Sequence, residues 1–129
     1  MQTKLIALAA ILVATLPIRR ASAETPDLTG SWLGKAEQVT AQWEFGERDV
    51  VVSIVEQKGG RFYGTITHHG TPDKIVGVIR SDNKTFYWVD VNDNGQVQGQ
   101  ILGPDQIEAC HLEAGDHALA SCAVLTRKR

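Results

Sequence analysis

The sequence predicts an all-β fold, a small eight-stranded antiparallel up-and-down β-barrel. Three observations carry that expectation. Short stretches of alternating apolar and polar residues follow one another from Leu28 to Thr126, the period of two expected of half-buried strands. Clusters of Gly, Asn, Asp and Pro separate these stretches, and no segment shows a helical period. Eight sequential strands leave two exposed edges unless the sheet closes on itself, and an up-and-down barrel removes both.

The elements follow in chain order. From Leu28 to about Val39, Leu28, Gly30, Trp32, Gly34 and Ala36 share one face while Lys35 and Glu37 take the other. Thr40 to Arg48 breaks the alternation and reads as a connection carrying Trp43 and Phe45. Asp49 to Gln57 is rich in valine and isoleucine, and Lys58-Gly59-Gly60 is a hairpin turn. Arg61 to His69 alternates Phe62, Gly64, Ile66 and His68 against Tyr63, Thr65, Thr67 and His69. Further strands are expected at Lys74 to Arg80, Thr85 to Val91 and Gln96 to Leu102, joined by turns of Ser, Asp, Asn, Gly and Pro. A last hairpin spans Gln106 to Glu113 and His117 to Thr126.

Glycines inside the strands, at 30, 34, 64, 77 and 99, suit the sharp coiling of a small barrel. An outer-membrane barrel needs a continuous apolar outer band. Here Lys35, Glu37, Thr65, Gln98 and Gln100 face outward, so a soluble barrel is expected. Val51 and Val55, on the opposite face from Val50, Val52 and Ile54, suggest that part of the outer surface is covered.

Residues 1–23 read as a secretory signal peptide. Met1-Gln2-Thr3-Lys4 is a cationic start, Leu5 to Ile18 is an apolar run, and Ala21-Ser22-Ala23 is a small-x-small cleavage site. The run is shorter than the ~20 residues that cross a bilayer, so no integral membrane segment is expected after cleavage. Residues 24–129 then form the barrel domain, in the periplasm or secreted. The leader takes Lys4, Arg19 and Arg20 and no acid. It leaves 10 of the 13 basic residues against all 15 acidic ones, a formal −5. That balance argues against nucleic acid, which needs a basic face.

The two cysteines lie in this exported part, where a bridge is permitted. With the last turn centred on Gly115-Asp116-His117, Cys110 faces Cys122, His111 faces Ser121 and Leu112 faces Ala120. Directly opposed Cβ atoms lie about 4.5 to 5.5 Å apart, within reach of a disulfide. With no further Cys or His set at ligand spacing, a metal site is not expected.

Candidate functional residues follow from the same pattern. Trp32, Phe62, Phe86 and Trp88 are expected to fill the interior. Trp43 and Phe45 either form a lid over the barrel mouth or cap one end of the core. Asp90-Val91-Asn92-Asp93-Asn94-Gly95 matches the opening of a calcium loop, but the twelfth position, where a bidentate Glu belongs, is Ile101. These are also ordinary turn residues. His68 and His69 point to opposite faces and do not serve one site together, and an inward His68 or His111 is expected as a hydrogen-bonded core residue. No nucleophile-elbow serine, activated cysteine or H-E-x-x-H pair is present. A non-enzymatic protein without a cofactor is therefore expected.

Leu28-Thr29-Gly30-Ser31-Trp32 resembles the first strand of the calycin barrels, avidins and lipocalins, and Gly60-Arg61-Phe62-Tyr63-Gly64-Thr65 resembles an avidin third strand. Leu125-Thr126-Arg127 is similar to a calycin ending, which implies that Arg127 lies over Trp32 and closes the barrel. Avidin's ligand-binding asparagine, serine and tyrosine fall at Gly34, Gln38 and Ile66, so its ligand does not carry over. A second resemblance is to bacterial periplasmic metalloprotease inhibitors, which implies an inhibitory role for Glu24-Thr25-Pro26-Asp27. The chain also resembles small exported proteobacterial proteins. Two functions follow as expectations: a binding module for a small apolar or amphipathic ligand, using Trp43, Phe45, Trp88 and His68, or an interaction factor meeting a protein partner through its surface or N-terminal tail.

Overall fold

The computed structural model describes Pro17, residues 23–68 and residues 70–129. The signal peptide expected at 1–23 falls almost wholly outside the described residues, as does His69.

Eight strands form one closed antiparallel barrel in which each pairs with its neighbours in sequence and the last returns to the first. They are β1 (Gly30–Thr40), β2 (Phe45–Lys58), β3 (Arg61–Thr67), β4 (Pro72–Ile79), β5 (Thr85–Asp90), β6 (Gln96–Gly103), β7 (Gln106–Glu113) and β8 (Leu119–Arg127). Closure of β1 on β8 runs from Trp32↔Arg127 to Thr40↔Leu119. Bulges interrupt the ladders between Ile54 and Glu56 and between Ile101 and Gly103, local bends of the kind that closure requires.

Alternation places one residue in two inside. Trp32, Val52, Ile75, Phe86, Ile107 and Leu125 are nearly or wholly sealed from solvent. Phe86 stacks on Trp88 at 5.3 Å and takes the edge of Phe62 at 6.4 Å. Gly99 permits this arrangement, since a Cβ there would lie 2.0 Å from the Phe86 ring. The lower and middle parts of the lumen are thus filled with side chains, as an eight-stranded barrel allows.

The two ends differ. Leu28 enters the core beneath Trp32, whose indole N–H donates to the Leu28 carbonyl at 2.9 Å. Gln57 receives the Leu28 N–H at 2.9 Å and donates to the Pro26 carbonyl at 2.7 Å. Residues 24–27, for which the inhibitor resemblance implies an inhibitory role, are held at this closed end through the Pro26 and Asp27 carbonyls, which accept from Gln57 and Arg127. At the other end, the mouth, lie the connections 41–44, 68–71, 91–95 and 114–118.

The hairpin register pairs Cys110 with Cys122, His111 with Ser121 and Leu112 with Ala120. Cys110 and Cys122 form a disulfide with Cα atoms 4.0 Å apart. Two expectations are corrected. β2 begins at Phe45 rather than Asp49, because its first inward residues are Gly46 and Arg48 and no hydrophobic alternation marks them. No other part of the described chain covers the outer face at Val51 and Val55, which are 36% and 64% exposed.

Candidate functional site

Each strand's inward series turns polar as it nears the mouth. β1 passes from Trp32 and Ala36 to Gln38 and Thr40, and β7 from Ile107 and Ala109 to His111 and Glu113. β2 places Arg48 above Val50, β5 places Asp90 above Trp88, and β8 places Ser121 above Ala123. His68 follows Ile66, and Asp73 opens the inward face of β4.

These groups converge from different walls. His111 lies between two carboxylates, with Nδ1 3.8 Å from Asp90 Oδ2 and Nε2 3.7 Å from Glu113 Oε2. Arg48 Nη2 donates across the mouth to Ser121 Oγ at 3.5 Å. His68 Nε2 is 3.7 Å from Asp73 Oδ2. Gly95 holds the cluster together by lacking a side chain: a Cβ there would stand 2.3 Å from His111 Cε1 and 2.5 Å from Asp90 Oδ2.

Asp90 is the unusual member. Its side chain is 0% exposed, yet neither carboxylate oxygen has a hydrogen-bond partner among the described residues. The same holds for the buried atoms Arg48 Nε, Trp88 Nε1, Gln38 Oε1 and His111 Nδ1. Buried polar groups are ordinarily satisfied, and each one left unmade costs about 1–3 kcal/mol. Burial pushes the Asp90 carboxyl above the usual carboxylate range. His111 opposes that shift, while Asp93, Asp73 and Glu113 add to it. Burial likewise lowers the Arg48 guanidinium, against the opposing pull of Asp90 and Glu113.

The structure brings Trp88 and His68 to this end but leaves Trp43 and Phe45 apart. Trp43, in the connection 41–44 with φ 64°, is 86% exposed, and Phe45 is 88% exposed. So exposed, neither side chain caps the core. Asp90 turns into the barrel rather than toward the loop that follows it. Among the described residues no group of three or more His, Cys, Asp or Glu is arranged to hold a metal ion. Arg48 and Glu113 were not singled out by the sequence reading. The signal that finds them is polarity at inward-facing positions of consecutive strands near one end.

No protein-family model matches the chain, and no curated protein matches it. Two solved structures share its fold. One is a protein of unknown function from the DUF3598 family of Nostoc punctiforme, with TM-score 0.53 and 11% identity. The match covers 78% of this chain and 48% of that one, so the chain spans about half the length of that protein. The other is the S-type phycobiliprotein lyase CpeS from Guillardia theta, with TM-score 0.50 and 12% identity over 79% of this chain and 89% of that one. At these identities the likeness establishes the barrel fold. It also corrects the expectation of a non-enzymatic protein: a barrel of this architecture carries the name of a lyase, so the fold gives no ground for excluding catalysis.

Proposed function

We propose that the mouth of this barrel binds a small ligand, held by Arg48, Asp90, His111 and Glu113 above Trp88. One observation carries the reading: a fully buried carboxylate, Asp90, with neither oxygen hydrogen-bonded among the described residues, in a cluster where Arg48 Nε, Trp88 Nε1 and His111 Nδ1 also lack hydrogen-bond partners. Folding alone gains nothing from such an arrangement, and perturbed, unsatisfied groups concentrate at functional sites. Trp88 supplies an apolar floor with one N–H donor. The cluster reaches solvent at Asp73 and Glu113, whose side chains are 30% and 19% exposed.

The reading includes residues 24–129 as the mature domain of an exported protein, in the periplasm or outside the cell. The disulfide supports an oxidising compartment. Among the described residues no helix is long and apolar enough to cross a membrane.

The three tryptophans make the test direct, because their indole N–H groups report on three places. Trp32 sits at the closed end, Trp43 at the rim and Trp88 beneath the cluster. Titrating the 15N-labelled protein with a small-molecule fragment set is expected to move the Trp88 indole resonance and leave that of Trp32 in place. If no fragment moves Trp88, the reading fails.

A further inference from the structure

The charge around the mouth is uneven in a way that names a class of ligand. Inside it, Asp73, Asp90 and Glu113 face a single permanent cation, Arg48. Arg48 makes no ion-pair contact with these carboxylates among the described residues, its hydrogen bond going instead to Ser121. Outside it, the connections 41–44, 68–71, 91–95 and 114–118 carry Glu44, Asp93 and Asp116 and not one lysine or arginine. Of the basic residues, Lys58, Arg61, Arg80, Lys84, Arg127, Lys128 and Arg129 gather at the opposite end, against Glu24, Asp27, Glu56, Asp82 and Asp105, while Lys74 stands beside the mouth, where its carbonyl accepts from the Val91 N–H. An acidic rim over an acidic interior concentrates cations at the mouth, since low-dielectric walls focus the field.

We infer that the mouth takes a small organic cation, a protonated amine or amidinium on an apolar or aromatic body, with its N–H groups on the free oxygens of Asp90 and its body toward Trp88. This rests on the binding site proposed above and specifies its ligand. A donor-bearing cation supplies what the buried carboxylate lacks, hydrogen bonds to two acceptor oxygens, and adds a permanent charge beside His111. An anion would find one guanidinium amid three carboxylates. A bare metal ion would find no set of three ligands among the described residues.

The test uses three probes of matched shape and different charge: benzylamine, benzyl alcohol and benzoate. Each is titrated into the full-length mature protein at pH 7 while the Trp88, Trp43 and Trp32 indole resonances are followed. Benzylamine is expected to move Trp88 and to bind at least tenfold more tightly than the alcohol or benzoate. Raising the salt concentration is expected to weaken it further. Asp90→Asn is expected to abolish that preference while retaining the β-rich circular dichroism of the parent. Glu113→Gln is expected to reduce it, and serves as the reporter if the Asp90 variant does not fold. Preference for benzoate at Trp88 would overturn the cation and leave the binding site standing. Equal binding of all three would also overturn the cation. If none of the three moves Trp88, the cation inference is overturned, while the fragment titration judges the site itself.

Discussion

Arg127 lays its guanidinium over Trp32, 4.3 Å from the ring centroid, and thereby ties the last strand of the barrel to the first. The same side chain donates to the carbonyls of Thr29, Asp27 and Pro104, the last two at 2.6 and 3.0 Å. One planar cation thus joins the entry segment, the β6–β7 turn and the barrel floor.

Arg127→Lys keeps the charge but not the fork that reaches several carbonyls at once. It is expected to lower stability by about 2 kcal/mol, read as the urea midpoint of unfolding. An unchanged midpoint would remove Arg127 from the closure of the barrel.

Asp90→Asn exchanges a buried carboxylate that lacks hydrogen-bond partners among the described residues for a neutral amide. Because the Asp90 carboxyl titrates above its unfolded value, the folded state holds its proton more tightly. The stability it lends is present at acid pH and is lost as pH rises through the folded value. The variant is therefore expected to be more stable than the parent at pH 7, on the order of 1 kcal/mol, with the gap closing toward pH 4. A variant less stable at pH 7 would contradict the unmet state of Asp90.

Asp82 behaves in the opposite sense. Its carboxylate accepts from the backbone N–H groups of Lys84 and Thr85 and from the Thr85 hydroxyl, which holds its pKa down at about 2. The resulting stability is present above an ordinary aspartate's pKa, about 4, and is lost as pH falls through about 2. Asp82→Asn is expected to lower the melting temperature at neutral pH and to match the parent near pH 2. A constant difference at both pH values would refute the assignment.

The Cys110–Cys122 bridge closes a span of 12 residues on the outer wall. Replacing both cysteines by serine is expected to cost up to about 3 kcal/mol, and less if the hairpin persists in the unfolded chain. Intact mass checks the premise, since the oxidised protein is two hydrogens lighter.

Trp43→Ala and Phe45→Ala are expected to change stability by less than about 0.5 kcal/mol, as exposed side chains do. A loss well beyond that would return them to the core-capping role that the sequence left open.

Legibility followed the hydrophobic pattern. The strand from Thr85 to Val91, the Cys110–Cys122 register and the inward Trp32 were readable because apolar residues recur every second position, or because a turn fixed the pairing. The start of β2 was not, for the same reason that Arg48 was missed: Gly46 and Arg48 face inward but carry no apolar signal. Asp90 drew notice only through its likeness to a calcium loop, since nothing local reveals which way a strand-end residue turns. A site built from polar residues on five strands becomes visible only once closure brings the strands around a common axis.

That closure has a kinetic consequence. The Arg127–Thr29 bond spans 98 residues of chain, so β1 keeps an open edge until β8 has formed. Pairing at such long sequence separation is slow to nucleate, and an unpaired edge meanwhile offers itself to other chains. Loss of the final strand, residues 119–127, would therefore yield not a seven-stranded barrel but an open sheet prone to self-association.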